Sequence, residues 1–387
     1  MSNTMNIAIV GCGFVADFYM ITLRNYPHLT VTGVYDKDDE RKLRFAKYYA
    51  ANDYKDFQAL LNDPGVDIVL NLTNPRSHYE VSKACLEAGK HVYSEKPLAM
   101  NIDDARELVA LAKSKGLYLS GAPCSVLGEC AQTIWHQLRL GSIGKVRLVY
   151  AELDDGLVHK MRYKKWLSES GTPWPYKDEF EVGCTLEHAG YYVTWLLAFF
   201  GPVRRVTPFA SCLIPDKQTD VELGEQGADF SVVCLEFESG MVARLTCSIV
   251  APHDHALRIF GDDGILSTDE CWNYSSPVML KRRTKLALWA EKYPLLTVLF
   301  GLGAKRCRQV KNTDYQHRYK GTTQMDFARG VAELAEAIEQ QRESRLSADF
   351  CLHVNEIVLA IENPQISGGA HEIQSRFEPM EPMWWAS

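Results

Sequence analysis

Apolar residues in the first hundred positions fall into short runs separated by helical stretches. Asn6-Ile-Ala-Ile-Val-Gly11 is an apolar run that stops at glycine, the pattern of a strand buried on both faces. A helical stretch over 17–25 leads to a second strand over 29–35. Helices over 41–50 and 57–62 precede a strand over 67–72, and a helix over 78–88 precedes a strand over 91–93. Repeated βα units with short connections predict a parallel, doubly wound sheet of the Rossmann type. Ligands on such sheets bind beyond the carboxyl ends of the strands. That edge gathers Gly11, Gly13, Phe14, Val15, Asp36, Thr73, Asn74 and the stretch Ser94-Glu95-Lys96-Pro97.

The pattern changes after residue 122. A helix over 129–139 ends near Gly141 and Gly144, and a strand follows over 145–153. Further strands over 205–213, 229–238, 241–249, 256–260 and 264–268 follow one another without intervening helices, and Ser239-Gly240 reads as a hairpin turn. The prediction is an α/β chain in two parts. Residues 1–122 form a Rossmann dinucleotide-binding domain; residues 123–387 form an α+β substrate-binding and oligomerisation domain with a large, mostly antiparallel open sheet.

The turn after the first strand, Gly11-Cys-Gly-Phe-Val-Ala16, fits G-x-G-x-x-A. Gly11 permits a tight turn, Gly13 lets the backbone approach a pyrophosphate, and Ala16 lets the next helix sit close to the sheet. The amides at that helix's N-terminus would face the phosphates. Asp36 ends the second strand, where a carboxylate accepts bonds from ribose hydroxyls and repels a 2′-phosphate. This favours NAD as cofactor, and Lys37 beside it leaves NADP open.

Composition removes several classes. A net charge of −7 argues against nucleic acid as a partner. No apolar run approaches the roughly 20 residues of a membrane span, and Met1–Asn6 is too short and polar for a secretory signal. The eleven cysteines are scattered singly, which predicts reduced thiols in the cytoplasm and no metal centre.

Ala88-Gly-Lys-His-Val-Tyr-Ser-Glu-Lys-Pro-Leu98 is the most specific stretch in the chain. Glu-Lys-Pro at the end of a later Rossmann strand, after Gly-Lys-His-Val, resembles the Gfo/Idh/MocA family of oxidoreductases, over residue 5 to about 250 and again over 326–359. The resemblance implies that Lys96 sits by the nicotinamide and the reacting carbon, and that a cis bond precedes Pro97. A buried lysine near a cationic nicotinamide is expected to have a depressed pKa, suiting it to accept a hydroxyl proton. Glu95 would hold or tune that amine. Thr73 and His78 match the family's T-P-N-x-x-H, with Asn74 and Pro75 interchanged. Gly121-Ala-Pro-Cys-Ser125 lacks the asparagine and arginine of G-x-N-x-R-F, so no familiar substrate is implied.

The family's D-x-G-x-H helix aligns with 183–201. Counting back from Gly201 places Glu187 on the aspartate and Tyr191 on the histidine, four apart and on one helical face. The other register pairs His188 with Tyr192. Ahead of this helix, a polar but aromatic loop over 164–178 offers Trp166, Trp174 and Tyr176 for stacking on a sugar and Lys177 for an anionic group, or it simply pins itself.

Residues 281–320 carry eleven Lys/Arg against Glu291 and Asp314, a charge of +9 that leaves −16 for the rest. With Leu286, Leu288, Trp289 and 295–300 they suggest an anionic surface, or an excursion packed on the domain or a neighbouring subunit. The function expected is hydride transfer between nicotinamide and a secondary hydroxyl or keto group of a sugar, sugar derivative or polyol, in a homodimer or homotetramer. A redox glycosidase that oxidises, eliminates and reduces is the second enzyme class, and a non-catalytic dinucleotide sensor the third.

Overall fold

The computed structural model describes residues 4–283, 302–311, 325–363 and 369–387, with scattered positions between 285 and 300. Its first sheet has the order β2-β1-β3-β4-β5, all parallel: β1 (Met5–Val10), β2 (Leu29–Tyr35), β3 (Ile68–Asn71), β4 (His91–Ser94) and β5 (Leu119–Gly121). Alternate residues of one strand feed two different cores, as a sheet covered on both sides requires. Ile7 and Ile9 pack in one core with Tyr19 and Phe45; Ala8 and Val10 pack in the other with Leu86 and Leu108.

The helices that supply these layers are α1 (Ala16–Leu23), α2 (Asp39–Tyr49), α3 (Phe57–Leu61), α4 (His78–Glu87) and α5 (Ile102–Lys115). Helix α5 is a full helix that the expected pattern omitted, although Asn101 caps it by accepting the Asp104 amide and Gly116 ends it in the left-handed region.

Among the described residues the second sheet has nine strands where six were expected. They run β6 (Val146–Asp154), β7 (Val203–Ser211), β8 (Phe230–Phe237), β9 (Val242–Ser248), β10 (Leu257–Gly261), β11 (Gly264–Thr268), β12 (Met279–Arg282), β13 (Lys305–Arg306) and β14 (His371–Glu372). Their order is β13-β12-β11-β10-β6-β9-β8-β7-β14; only the β6–β9 pair is parallel. The additional strands are two to four residues long, too short to show a period. Strand β12 leads into the basic segment and β13 lies within it; much of that segment, including 312–320, lies outside the described residues.

Helices α6 (Glu129–Arg139), α7 (Tyr176–Val182), α8 (Gly190–Phe200), α9 (Arg329–Gln340) and α10 (Ala348–Glu362) follow among the described residues, with short 3-10 turns between elements. Packing crosses the expected division at residue 122. Helix α9 belongs to the first sheet's core: Val331 and Leu334 join Ile7 and Ile68, and a Cβ on Gly330 would meet the Tyr93 hydroxyl at 2.2 Å. Helix α10 in turn bridges α5 and β7, with Asn355 bonded to both the N–H and the carbonyl of Ala99.

Candidate active site

A cavity of about 560 Å³ opens at the carboxyl edge of the first sheet. Its walls include Gly11, Gly13, Phe14, Val15, Asp36, Thr73, Asn74, His78, Glu95, Lys96, Trp166, Trp174, Glu187, His188 and Tyr191, so most of the residues chosen from sequence meet in one place. Tyr176 and Lys177 do not line it. The Tyr176 hydroxyl donates to Asp220 at 2.6 Å, and Lys177 pairs with Glu181 at 2.7 Å and donates to the Glu222 carbonyl. Both serve the 213–229 loop instead of a ligand.

The nucleotide end fits a dinucleotide. Gly11 has φ +98°, and a Cβ there would come within 2.5 Å of the Leu72 carbonyl oxygen, so only glycine makes this turn. At Gly13 nothing lies within 4 Å of where a Cβ would be, which leaves the backbone open to a phosphate. No side chain caps the N-terminus of α1, so its first amides remain for an anion.

Asp36 is more heavily engaged than its position in the sequence suggested. Oδ2 accepts from the Cys12 amide at 2.8 Å and Arg41 Nε at 2.8 Å; Oδ1 accepts from the Asp38 amide at 2.9 Å and Arg41 Nη2 at 2.7 Å. Burial pushes this carboxyl up, but Arg41 and the two amides outweigh it and hold it below the usual carboxylate range. A carboxylate offers about four lone-pair sites, and all four are taken, two by Arg41. A ribose diol must therefore compete with Arg41 for Asp36. Arg41 also lines the cavity, as does Lys37, and a guanidinium is a group of the kind that binds phosphate.

The reacting end is built around Lys96. The Lys96–Pro97 bond is cis, as the resemblance implied. Lys96 Nζ pairs with the Glu187 carboxylate, and both side chains are largely buried. Glu95 does not hold the amine: Oε1 accepts from the Tyr19 hydroxyl at 2.6 Å and Oε2 from the Lys96 backbone amide at 3.3 Å. Glu95 thus anchors the strand end to α1.

The expectation that burial depresses the lysine is overturned in this cavity. Burial does pull Lys96 down, but the charges of Glu187, Glu95 and Glu179 outweigh it, and the ammonium is held above its ordinary value.

Glu187 lies in a π-helical turn, Thr185–Ala189, that runs directly into α8. Both Glu187 and Tyr191 reach the cavity, whereas Tyr192 is fully buried and donates to the His255 carbonyl. The geometry favours the Glu187/Tyr191 register over His188/Tyr192. His188 nevertheless reaches the wall as well, against Trp272 at 5.8 Å between ring centres.

Its Nε2 lies 3.2 Å from Glu179 Oε1. Burial drives both toward their neutral forms: Glu179 is pushed well above the carboxylate range, further raised by Glu187, and His188 well below the imidazole range. Glu179 Oε1, His188 Nδ1, Trp272 Nε1 and Asn74 Oδ1 are buried without hydrogen-bond partners.

His78 is a brace. Its Nδ1 faces the Pro97 carbonyl at 2.7 Å and its Nε2 the Thr73 carbonyl at 3.0 Å, tying the 73–75 loop to the Lys96–Pro97 bond. Over the top, the 164–178 segment closes against the first domain. Ser170 donates to Asp17 through both amide and hydroxyl at 2.9 Å, and Arg44 donates to Thr172 at 3.2 Å. Trp166 and Trp174 pack edge-on at 4.9 Å, and both line the cavity. The segment is pinned and still lines the site. Its C-terminal part is α7, where Asp178 and Glu179 lie in the first turn.

Comparison with known proteins places the chain in a family and a fold. The model of the oxidoreductase family with an NAD-binding Rossmann fold matches residues 5–122, and the GFO/IDH/MocA C-terminal domain matches 131–267. Trans-1,2-dihydrobenzene-1,2-diol dehydrogenase of Bos taurus is 28% identical over 271 residues, covering 68% of this chain and 74% of that protein. The rabbit enzyme of the same name, from Oryctolagus cuniculus, is 27% identical over 301 residues, covering 76% and 85%. Among solved structures, an aldose-aldose oxidoreductase from Caulobacter crescentus in complex with glycerol superposes with a TM-score of 0.74 at 18% identity, over 96% of this chain and all of the other. A 3-ketoreductase from Actinomadura kijaniata in complex with TDP-benzene and NADP gives 0.69 at 19% identity, over 93% and 97%. At these identities the two structures establish the fold.

Proposed function

The chain belongs to the Gfo/Idh/MocA oxidoreductase family, and from that premise we propose that it transfers a hydride between nicotinamide and a secondary hydroxyl or keto group of a sugar, sugar derivative or polyol. The observation that carries the reading is the Lys96–Glu187 pair, set in the same cavity as Gly11, Gly13 and Asp36.

The bound nicotinamide supplies the hydride acceptor or donor. Lys96 Nζ meets the reacting oxygen, giving its proton in the reducing direction and taking one in the oxidising direction. Glu187 orients the amine, and Tyr191, on the same wall, contacts a neighbouring hydroxyl. The unpartnered Glu179 Oε1, His188 Nδ1 and Trp272 Nε1 suit a molecule carrying several hydroxyls, since each such atom left unsatisfied in a buried wall costs about 1–3 kcal/mol. Trp166 and Trp174 offer faces for the C–H surface of a ring.

A second reading has a specific basis. Phe14, Phe18, Trp272 and Phe327 add an apolar aromatic lining, which suits a less polar cyclic vicinal diol of the kind named for the Bos taurus relative. The redox-glycosidase reading uses the same residues, with Tyr191 and Glu187 assisting elimination. One panel separates the three: sugars and polyols, trans-dihydrodiols, and aryl glycosides, each with NAD and NADP, followed by reduced-nicotinamide absorbance and by aglycone release. Turnover of sugars without aglycone release supports the first reading, and inactivity toward every sugar and polyol rejects it. The open sheet is the proposed face for a homodimer or homotetramer; Phe209 on β7 is 56% exposed there.

The Arg41–Asp36 pair makes a cofactor prediction. Asp36→Ala removes the acceptor for a ribose diol and releases Arg41 for a 2′-phosphate. NAD binding is expected to weaken about 10–100-fold, the worth of a hydrogen bond to a charged group, while NADP binding holds or improves. Arg41→Ala should move the preference toward NAD. Calorimetric titration of both variants with both dinucleotides checks this; an unchanged NAD/NADP ratio in both would remove the pair from cofactor selection.

A further inference from the structure

One residue of the cavity wall, Asp155, stands beside a group of side chains that no step above uses. Asp155 follows β6 and lines the cavity. His253 and His255, in Pro252-His-Asp-His255, precede β10, and Glu270 follows β11. Asp155 Oδ1 lies 4.0 Å from His253 Nδ1 and 3.8 Å from His255 Nε2. One donor atom from each of the three falls within 4.8 Å of the others.

The His255 ring is fully buried, and its Nε2 has no hydrogen-bond partner. Its other nitrogen, Nδ1, is 2.8 Å from Glu270 Oε1, an oxygen that also accepts the Trp272 amide at 2.9 Å. A carboxylate only accepts, so the proton of the neutral ring belongs on Nδ1 and the Nε2 lone pair remains on the Asp155 side. A carboxylate that fixes one imidazole nitrogen while the other is left bare is the arrangement that supports metal-ligating histidines.

We propose that Asp155, His253 and His255 form a binding site for one divalent transition-metal ion of the zinc type, with Glu270 orienting His255 and a coordination position facing the catalytic cavity. Imidazole nitrogens with one carboxylate select such ions over magnesium or calcium, which prefer all-oxygen sites. Three protein ligands with an open fourth position is the pattern of accessible zinc sites. Donors bonded at 2.0–2.1 Å around a tetrahedral ion stand about 3.4 Å apart, so the 3.8 and 4.0 Å separations need to close by roughly half an ångström. The His255 ring packs on Trp272 at 4.5 Å, and Trp272 packs on Tyr191 at 5.3 Å. The ion would therefore sit one aromatic ring from the Glu187/Tyr191 wall, able to take an oxygen of a molecule held in the cavity. Scattered cysteines predicted no metal centre; the ligands assigned here are not cysteines.

The test is a binding measurement on the full chain, independent of which alcohol it turns over. Protein stripped with EDTA is titrated with zinc chloride by calorimetry, and metal content is read after gel filtration. One equivalent per chain is expected, and its loss in Asp155→Asn and in His253→Ala. His253 is more than half exposed, so its truncation leaves the fold intact, which retained NAD affinity verifies. Glu270→Gln keeps the shape but weakens the support of His255, and should lower zinc affinity about 10–100-fold. Cobalt in place of zinc should give d–d absorption without a sulfur-to-metal charge-transfer band. No stoichiometric zinc on the wild-type chain overturns the proposal. So does wild-type affinity in both Asp155→Asn and His253→Ala, or a sulfur-ligated cobalt spectrum.

Discussion

Lys96→Ala is expected to lower kcat by about 10²–10⁴-fold, the usual contribution of a positioned acid–base group, with NAD affinity close to wild type. The two effects separate because the groups lie on different strands. Gly11, Gly13 and Asp36 sit beyond β1 and β2, while Lys96 follows β4, and the order β2-β1-β3-β4 places two strands between β2 and β4. At about 4.8 Å per strand that is roughly 14 Å from Asp36 and roughly 10 Å from the two glycines, enough for the nucleotide end to remain undisturbed. Lys96→Arg should not restore the rate. A guanidinium keeps its proton at any accessible pH and cannot exchange one with a hydroxyl, although it can still pair with Glu187. Turnover and NAD binding are measured for both variants with whichever alcohol proves active, alongside thermal melting, because Glu187 loses its partner. A wild-type kcat in Lys96→Ala would remove the lysine from the chemistry.

Four of the first sheet's five strands were readable because each carries its own signal; β5, three residues long, carries none and was not read. Ile7, Ala8, Ile9 and Val10 are all apolar because they feed two cores, and the glycine that follows is demanded by the Leu72 carbonyl 2.5 Å from its would-be Cβ. Lys96 was equally accessible, since Glu95-Lys96-Pro97 is contiguous in the chain.

What the sequence hid is what only the tertiary fold brings together. Arg41 is one of several basic residues on a polar helix until the end of β2 sets Asp36 against it. Glu179 stands just past the stretch read as a loop over 164–178, yet Tyr176–Val182 is a helix with acidic residues in its first turn. Tyr19 met Glu95 across 76 positions, and Asp155 met His255 across 100. The one local clue to that last group was His253-x-His255, two imidazoles at the strand-like spacing that puts alternate residues on one side. The lysine's pKa failed for a related reason. Burial alone argues downward, and three carboxylates from 95, 179 and 187 converge only in the folded cavity.

Those carboxylates make the pH profile a test of their own. Lys96 is held above its ordinary value, so in the free protein it stays charged through neutral pH and loses its proton only in the alkaline range. Oxidation, which needs the free amine, should therefore gain kcat/KM as pH rises through that alkaline limb. Reduction, which needs the ammonium, should lose it over the same interval. Glu187 is the largest of the influences that raise the lysine; burial opposes it. Glu187→Gln preserves size and a hydrogen-bonding oxygen while deleting the charge. The upward pull on the lysine then weakens, and the limb should move to lower pH in both directions of reaction. The same change removes the group that orients the amine, so the plateau rate should also fall. A residue that merely filled space would lower the plateau and leave the limb where it was. The measurement is kcat/KM against pH, which reports groups of the free enzyme, for wild type and Glu187→Gln in both directions. An unmoved limb would mean that Lys96 is not the titrating group or that Glu187 does not control it.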